Sequence, residues 1–241
     1  MSGSFDDDGY PVWGDGLILS AWGKKRSGKS ILARYWFSMY PGDGIVIASN
    51  SDDGPFPDGK IVHLIRDNTV DTMPRRWPEH LRHEKERLIL RFEFDAGSPT
   101  FHEDQDAAVG LALRHGETCL LVHEAHLMAP VEASRRQLPH THRLLAANRH
   151  AQVGGGAGKV SAIFCGPRPA GVKTLVLAQS DVVAMFELPV PADRERLASE
   201  LGVPLPDLTG ALDELGRHEY LRYDAQELKP EDVVKGIQEE W

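Results

Sequence analysis

The chain has 241 residues, of which 41% are hydrophobic and 26% are charged, and its net charge is −9 at pH 7. These values are typical of one large globular domain, or of a domain with a small appendage, and they exclude collagen-like, fibrous and disordered proteins. No apolar run reaches the roughly 20 residues of a membrane-spanning helix and the first residues are acidic, unlike a signal peptide, so we expect a cytoplasmic protein without membrane insertion.

Short apolar runs rich in β-branched residues alternate with segments of helical periodicity along most of the chain. This alternation predicts an α/β fold with a mainly parallel sheet sandwiched by helices. The predicted strands cover residues 16–21, 45–48, 61–65, 88–94, 119–122, 160–165 and 182–188. The predicted helices cover residues 30–39, 102–115, 132–149 and 171–178, and turn-forming residues predict a loop at 50–60.

The sequence changes in character after residue 190. Two amphipathic helices are predicted at residues 192–201 and 205–215, then a short strand at 219–223 and a charged last helix. We therefore predict an acidic N-terminal segment at residues 1–15, a core at 16–190 and a small C-terminal α-rich subdomain at 191–241.

Acidic residues are concentrated at the two ends of the chain, and the predicted core is close to neutral. The negative net charge therefore does not exclude a nucleic-acid partner, because such a partner would meet the core. Cys119 and Cys165 each lie inside an apolar run, which indicates small buried side chains in a reducing compartment.

The segment between the first predicted strand and the first predicted helix is Gly-Lys-Lys-Arg-Ser-Gly-Lys-Ser, which matches the phosphate-loop motif G-x-x-x-x-G-K-[ST]. Its glycines let backbone N–H groups point at phosphate oxygens, and the following helix adds its positive N-terminal end. Lys29 is predicted to bridge the β- and γ-phosphates of ATP, and the Ser30 hydroxyl to bind Mg²⁺. The predicted nucleotide-binding residues are Gly23, Lys24, Lys25, Arg26, Ser27, Gly28, Lys29, Ser30 and Ile31.

Residues 118–124, Thr-Cys-Leu-Leu-Val-His-Glu, have the form of a Walker B strand, in which an Asp-Glu pair follows the apolar residues. Glu124 is therefore the candidate base that activates the attacking water. His123 takes the place of the Asp, and its nitrogen is a poor ligand for a hard cation. We interpret His123 as a weak or indirect Mg²⁺ contact.

Two other patterns have weaker interpretations. His123, His126, His140 and His142 suggest a zinc site, but the spacing H-E-A-H lacks the i, i+4 histidine pair of a metalloprotease helix. A second glycine-rich stretch at residues 153–159 departs from the phosphate-loop motif at both ends, so it is interpreted as a loop that offers Lys159 to an anionic partner.

Over residues 16–190 the chain resembles the HerA/FtsK superfamily of ring-forming P-loop ATPases, and within it the small genome-packaging ATPases of membrane-containing icosahedral viruses. Beyond the phosphate loop, the resemblance is carried by Glu-Ala-His at 124–126, the helix end Leu-Leu-Ala-Ala-Asn-Arg-His at 144–150, and Gly-Pro-Arg-Pro at 166–169. It implies a RecA-like P-loop (ASCE-type) fold, ATP and Mg²⁺ as cofactors, and ATP hydrolysis coupled to translocation of double-stranded DNA.

The resemblance also implies a hexameric or pentameric ring, with a capsid or portal vertex component as a further partner in the host cytoplasm. In such a ring, an arginine at the subunit edge can stabilise transition-state charge on the neighbour's γ-phosphate. Arg149 and Arg168 are the candidates, with Arg143 behind them. The basic segment 132–150 is a candidate lining of the DNA pore, together with the loop at 153–159.

Two residues depart from the family pattern, namely His123 and Pro167. Pro167 falls at the position of a glutamine that senses the γ-phosphate, and a proline cannot form that hydrogen bond. Two alternatives therefore stay open: an ATP-binding assembly or regulatory protein with little hydrolysis, and a small-molecule P-loop phosphotransferase.

Overall fold

The computed structural model describes residues 11–13, 16–48, 62–65, 74, 76–82, 86–95, 97–131, 138–147, 159–225 and 234–237. The strands within them are β1 (Ile18–Trp22), β2 (Asp43–Ala48), β3 (Val62–Ile65), β4 (Ile89–Glu93), β5 (Thr118–Val122), β6 (Ser161–Gly166), β7 (Val182–Met185), β8 (Glu219–Asp224) and β9 (Val234–Ile237). The α-helices are α1 (Lys29–Met39), α2 (Phe101–His115), α3 (Ala125–Met128), α4 (Pro139–Ala147), α5 (Thr174–Ala178), α6 (Pro191–Leu201) and α7 (Leu205–Asp213). None of the described helices is long and apolar enough to cross a lipid bilayer.

The described strands form one sheet in the order β3-β4-β2-β5-β6-β1-β7-β8-β9. Every pairing from β3 to β7 is parallel, whereas β8 and β9 pair antiparallel at one edge. The predicted α/β fold with a mainly parallel sheet is therefore confirmed. The order also places β6 between β1 and β5, so that the strands before the phosphate loop and before His123 lie two positions apart.

Helices cover both faces of the sheet. On one face, α1 packs through Trp36 and Phe37 against alternate residues of the central strands, such as Leu121 and Ile163. On the other face, residues of α2 to α7 form the larger cluster with the remaining strand residues, such as Phe164. Strands buried on both faces explain the continuous apolar runs of the sequence.

Two predicted elements differ from the structure in extent. The strand predicted at 182–188 ends at Met185. The helix predicted at 171–178 is a 3-10 turn at Pro169–Gly171 followed by α5. It is interrupted because Val172 forms a β-bridge with Pro130 and the Lys173 amide donates to Ala129, which requires extended backbone.

The C-terminal residues contain one clear correction. A strand, β9, lies at Val234–Ile237 where the charged last helix was predicted, and it pairs with β8. Pairing with the edge of β8 satisfies the backbone hydrogen bonds of this segment. The periodicity of the charges does not reveal such a pairing, because it depends on a strand elsewhere in the fold. Since β8 pairs with β7, the sheet runs across the predicted boundary at residue 190, and that boundary stays a prediction.

Several predicted segments lie outside the described residues. They are the acidic residues 1–10, the loop at 50–60, residues 132–137 and 148–150 around α4, and residues 153–158 of the second glycine-rich stretch.

Candidate nucleotide-binding and hydrolysis site

The phosphate loop connects the end of β1 to the start of α1. Gly28, directly before the helix, has φ 105°, and Arg26 has φ 65°, so both adopt left-handed backbone. A Cβ atom on Gly23 would lie 2.5 Å from the Cβ of Phe186 and 2.9 Å from Ser27 Oγ. The first glycine is therefore required because the loop passes tightly over the residue that follows β7. The left-handed backbone of Arg26 costs conformational energy and shapes the turn of the loop.

Lys29 is the first residue of α1, and its side chain is turned inward. Only 6% of the residue is exposed, and Nζ donates a hydrogen bond to the Lys24 carbonyl at 3.3 Å. This contact holds the ammonium group against its own loop. A phosphate held by the loop amides is the anion that such a group is placed to neutralise.

The loop is fastened to the antiparallel side of the sheet at two places. The Lys24 amide donates to the Glu187 carbonyl at 3.0 Å, and Lys24 Nζ lies 2.5 Å from Glu187 Oε2. His218, in the turn before β8, places Nδ1 3.4 Å from the Ser27 carbonyl oxygen. Sequence reasoning missed both contacts, because their partners lie more than 150 residues from the motif.

The second part of the site is the end of β5. The His123 amide donates to the Ile47 carbonyl of β2 at 3.0 Å, and His123 is buried with 5% exposure. Glu124 follows with φ 55° and ψ 51°, and its carbonyl accepts the amide of Leu127 at the start of α3. A left-handed glutamate at the strand end turns the chain sharply and leaves the carboxyl group partly exposed at the edge of the sheet.

His126 lies beside Glu124, and the charges of Glu124 and two other groups affect its pKa. Its Nδ1 lies 3.4 Å from Glu124 Oε2, which is an ion-pair distance longer than a good hydrogen bond. Burial lowers the pKa of His126; the Glu124 carboxylate opposes this shift, and the positive charges of Arg168 and Lys29 add to it. The predicted base, the phosphate-loop lysine and one predicted arginine therefore act on the same imidazole, although they come from three separate segments.

Arg168 follows β6 and is held within its own chain. Its Nε donates to Asp193 Oδ2 at 2.7 Å, and the Ala170 amide donates to the other carboxylate oxygen at 3.1 Å. Asp193, in the first turn of α6, is 1% exposed, whereas about half of the Arg168 side chain is exposed. Asp193 is a positioning residue that the sequence did not reveal, since nothing local marks a helix-start aspartate as an arginine partner.

The other predicted site residues have mixed outcomes. Lys24, Lys25, Arg26 and Ile31 are exposed around the loop, and Arg143 is exposed on α4. Arg149 lies outside the described residues, so its predicted role stays a prediction.

The donor set near Ser30 fits Mg²⁺ only in part. The Ser30 hydroxyl and the oxygens of a bound nucleotide suit a hard cation, but the imidazole of His123 does not. The zinc alternative gains no support: among the described residues, three or more metal-type ligands converge only at Asp43, Glu79 and His115, and none of the four histidines singled out in the sequence is there.

No protein-family model and no curated protein matches the sequence. Among solved structures, the chain is similar to the genome packaging NTPase B204 from Sulfolobus turreted icosahedral virus 2. The sulfate complex has a TM-score of 0.63 at 16% identity, with 92% of this chain and 96% of that chain covered. The ATP-gammaS complex has a TM-score of 0.62 at 17% identity, with 91% and 96% covered.

The DNA-packaging ATPase B204 from Sulfolobus turreted icosahedral virus is similar as well, with a TM-score of 0.61 at 17% identity and the same coverage of 91% and 96%. This likeness extends over nearly the whole of both chains. The chain therefore has the α/β RecA-like fold, as predicted. At this level of identity the likeness shows the fold alone.

Proposed function

We propose that this chain is an ATPase that works as a homo-oligomeric ring and moves double-stranded DNA, as a viral genome-packaging motor does. The observation that carries the hydrolase part is the phosphate loop with Lys29 buried against it, together with Glu124 at the end of β5. The packaging part is supported by the resemblance of the later motifs and by the fold shared with the packaging NTPase B204.

The chemistry assigned to the site is water attack on the γ-phosphate of ATP. The loop amides and Lys29 hold the phosphates, and Glu124 accepts the proton of the attacking water. A bound cation supplies further neutralisation of the phosphate charge. Burial lowers the pKa of His126, which favours the neutral imidazole beside the Glu124 carboxylate.

The proposed ring supplies the remaining charge. Arg168 or Arg149 of one subunit reaches the γ-phosphate in the next, with Arg143 as a further candidate. Asp193 engages only one edge of the Arg168 guanidinium, which leaves donors on its exposed half for a phosphate. A head-to-tail ring of this kind makes nucleotide binding and assembly depend on each other.

A second candidate function is an ATP-binding assembly or regulatory protein with little turnover. His123 and Pro167 favour it, because each removes a polar group that hydrolysis uses in related ATPases. Both candidates need the same nucleotide site, so they differ only in turnover and in the response to DNA.

The test is the steady-state rate of ATP hydrolysis with and without double-stranded DNA, measured beside the Glu124→Gln variant. Turnover that rises with DNA and is abolished in the variant supports a translocating motor. Bound ATP without turnover above the variant supports the regulatory protein. Turnover by a monomer that ignores DNA favours a small-molecule phosphotransferase, and turnover by Glu124→Gln at the parental rate excludes Glu124 as the base.

A further inference from the structure

The hydroxyl of Ser30, the predicted cation ligand, lies beside a cysteine. Ser30 Oγ is 3.7 Å from Cys165 Sγ, and Cys165 is 2% exposed. Cys165 lies near the end of β6, on the face of the sheet that α1 covers. The soft thiol of Cys165 therefore lies buried beneath the first turn of α1.

The strand register brings His123 to the same place. Val122 of β5 pairs with Phe164 of β6, and both pack on the face opposite α1. The His123 amide continues the ladder one residue beyond the end of β5 by donating to the Ile47 carbonyl of β2. Extending the β5–β6 register by one residue pairs His123 with Cys165, and the alternation of side chains then directs His123 to the face that carries Ser30.

This arrangement has no hard oxygen donor where a Walker B aspartate would stand. Mg²⁺ prefers carboxylate and water oxygens, whereas imidazole binds first-row transition ions, whose affinities rise along the series that begins with Mn²⁺. The one carboxylate at this strand end in the described residues, Glu124, lies against His126.

We propose that the cation accompanying the bound nucleotide is held by the His123 imidazole together with the Ser30 hydroxyl, and that this site selects Mn²⁺ or another first-row transition ion over Mg²⁺. The inference rests on the proposed ATP site and names its metal. It assigns His123 a direct role, in place of the weak Mg²⁺ contact expected from the sequence.

The test uses the full chain with Mn²⁺ and the methylene-bridged analogue of ATP, which adds no nitrogen at the phosphates. Pulsed electron paramagnetic resonance detects a nitrogen nucleus bound directly to Mn²⁺. The same protein labelled with ¹⁵N-histidine contains no substitution, so folding is not in question. The expected result is a ¹⁴N coupling that becomes a ¹⁵N coupling on labelling, and that appears only with the analogue present.

Variants locate the histidine. His123→Asp is expected to abolish the nitrogen coupling, and His126→Gln to keep it. Loss of coupling in His126→Gln with retention in His123→Asp overturns the assignment. Coupling that survives His123→Asp but is lost in His115→Gln overturns it too, because it places the ion at the group formed by Asp43, Glu79 and His115.

Competition measures selectivity. Mg²⁺ is titrated into the Mn²⁺ complex, with the free analogue as the reference for its own preference. The native chain is expected to need about 10- to 100-fold more Mg²⁺, relative to that reference, than His123→Asp needs. Equal displacement by Mg²⁺ in both proteins overturns the proposed selectivity.

The failure of the inference is distinguishable from the failure of the proposed function. Mn²⁺ that binds with the analogue but shows no histidine nitrogen overturns the metal assignment and leaves the nucleotide site intact. Binding is followed by titration with a fluorescent ATP analogue. If the analogue does not bind with either ion present, both the metal assignment and the proposed nucleotide site are overturned.

Discussion

The buried carboxylate of Asp193 accepts a hydrogen bond from the side chain of Arg168. The Arg168 Nε and the Asp193 Oδ2 are 2.7 Å apart, and the aspartate is 1% exposed in the first turn of α6. A buried carboxylate that keeps a half-exposed guanidinium in place fixes the direction in which the rest of the arginine points.

Replacing Arg168 tests the strength of this contact. Arg168→Ala is expected to lower the free energy of unfolding by about 1 kcal/mol, a modest value because solvent screens the exposed half of the arginine. The measurement is urea unfolding of Arg168→Ala, Asp193→Asn and the double variant. Strictly additive losses in that cycle would show that the two side chains do not couple.

Mixing two inactive variants tests whether Arg168 acts on the neighbouring subunit. Glu124→Gln lacks the base but keeps Arg168, and Arg168→Ala lacks the arginine but keeps the base. Some sites of a mixed ring regain both groups if the arginine acts in trans, so we expect ATP hydrolysis to recover on mixing. No recovery, with mixed rings shown by mass measurement, places the arginine's action within its own subunit.

Gly23→Ala tests the close approach of the phosphate loop to Phe186, the residue that follows β7. The added methyl group would meet Phe186 at 2.5 Å, so we expect a loss of about 1–3 kcal/mol in the free energy of unfolding and weaker ATP binding. Gly210→Ala is the matched control, since a Cβ there meets nothing within 4 Å and the position is inside α7. The control is expected to gain about 0.5–1 kcal/mol, and equal effects at both sites would contradict the steric explanation.

Lys29→Ala separates binding from turnover when it is compared with Glu124→Gln. Loss of the buried ammonium removes a charge-assisted contact to phosphate, which we expect to weaken ATP binding at least about tenfold. Glu124→Gln is expected to bind ATP like the native chain. Fluorescence titration with an ATP analogue measures both, and native affinity in Lys29→Ala would exclude the loop as the phosphate site.

The free energy of unfolding is expected to depend on pH through Asp43. Burial alone would raise its pKa, but hydrogen bonds from His115, Arg82 and the Leu88 amide hold the pKa well below its usual value. A carboxyl group with a lowered pKa stabilises the fold above its unfolded pKa, and this contribution falls as the pH drops below about 4. Asp43→Asn is expected to cost about 3 kcal/mol or more at pH 7, because it breaks a largely buried ion pair.

The check is urea unfolding of the native chain and Asp43→Asn at pH 7 and pH 3. The difference should shrink at pH 3, because the Asp43 carboxyl of the unfolded chain takes up a proton there while the folded state still holds it ionised. A difference that is unchanged between the two pH values would show that packing, and not charge, accounts for the loss.

The phosphate loop and α1 were predictable because their signal is local: the motif lies between an apolar run and a helical period. The strand at Val234–Ile237 was not, since a short charged segment becomes a strand only beside the edge of β8. The same holds for the site. The residues Lys29 and Glu124 could be named from their motifs, but the contact of Ser30 with Cys165 depends on strand order, which the sequence does not state.

The contact between His218 and the Ser27 carbonyl has a consequence for dissecting the molecule. A fragment that stops at residue 190 would retain every recognisable motif and still lose the antiparallel strand and the turn that lean on the loop. Such a fragment is expected to bind ATP more weakly than the whole chain, although no motif has been deleted. Nucleotide binding at the loop is in turn expected to alter the turn before β8, because that turn contacts the loop directly.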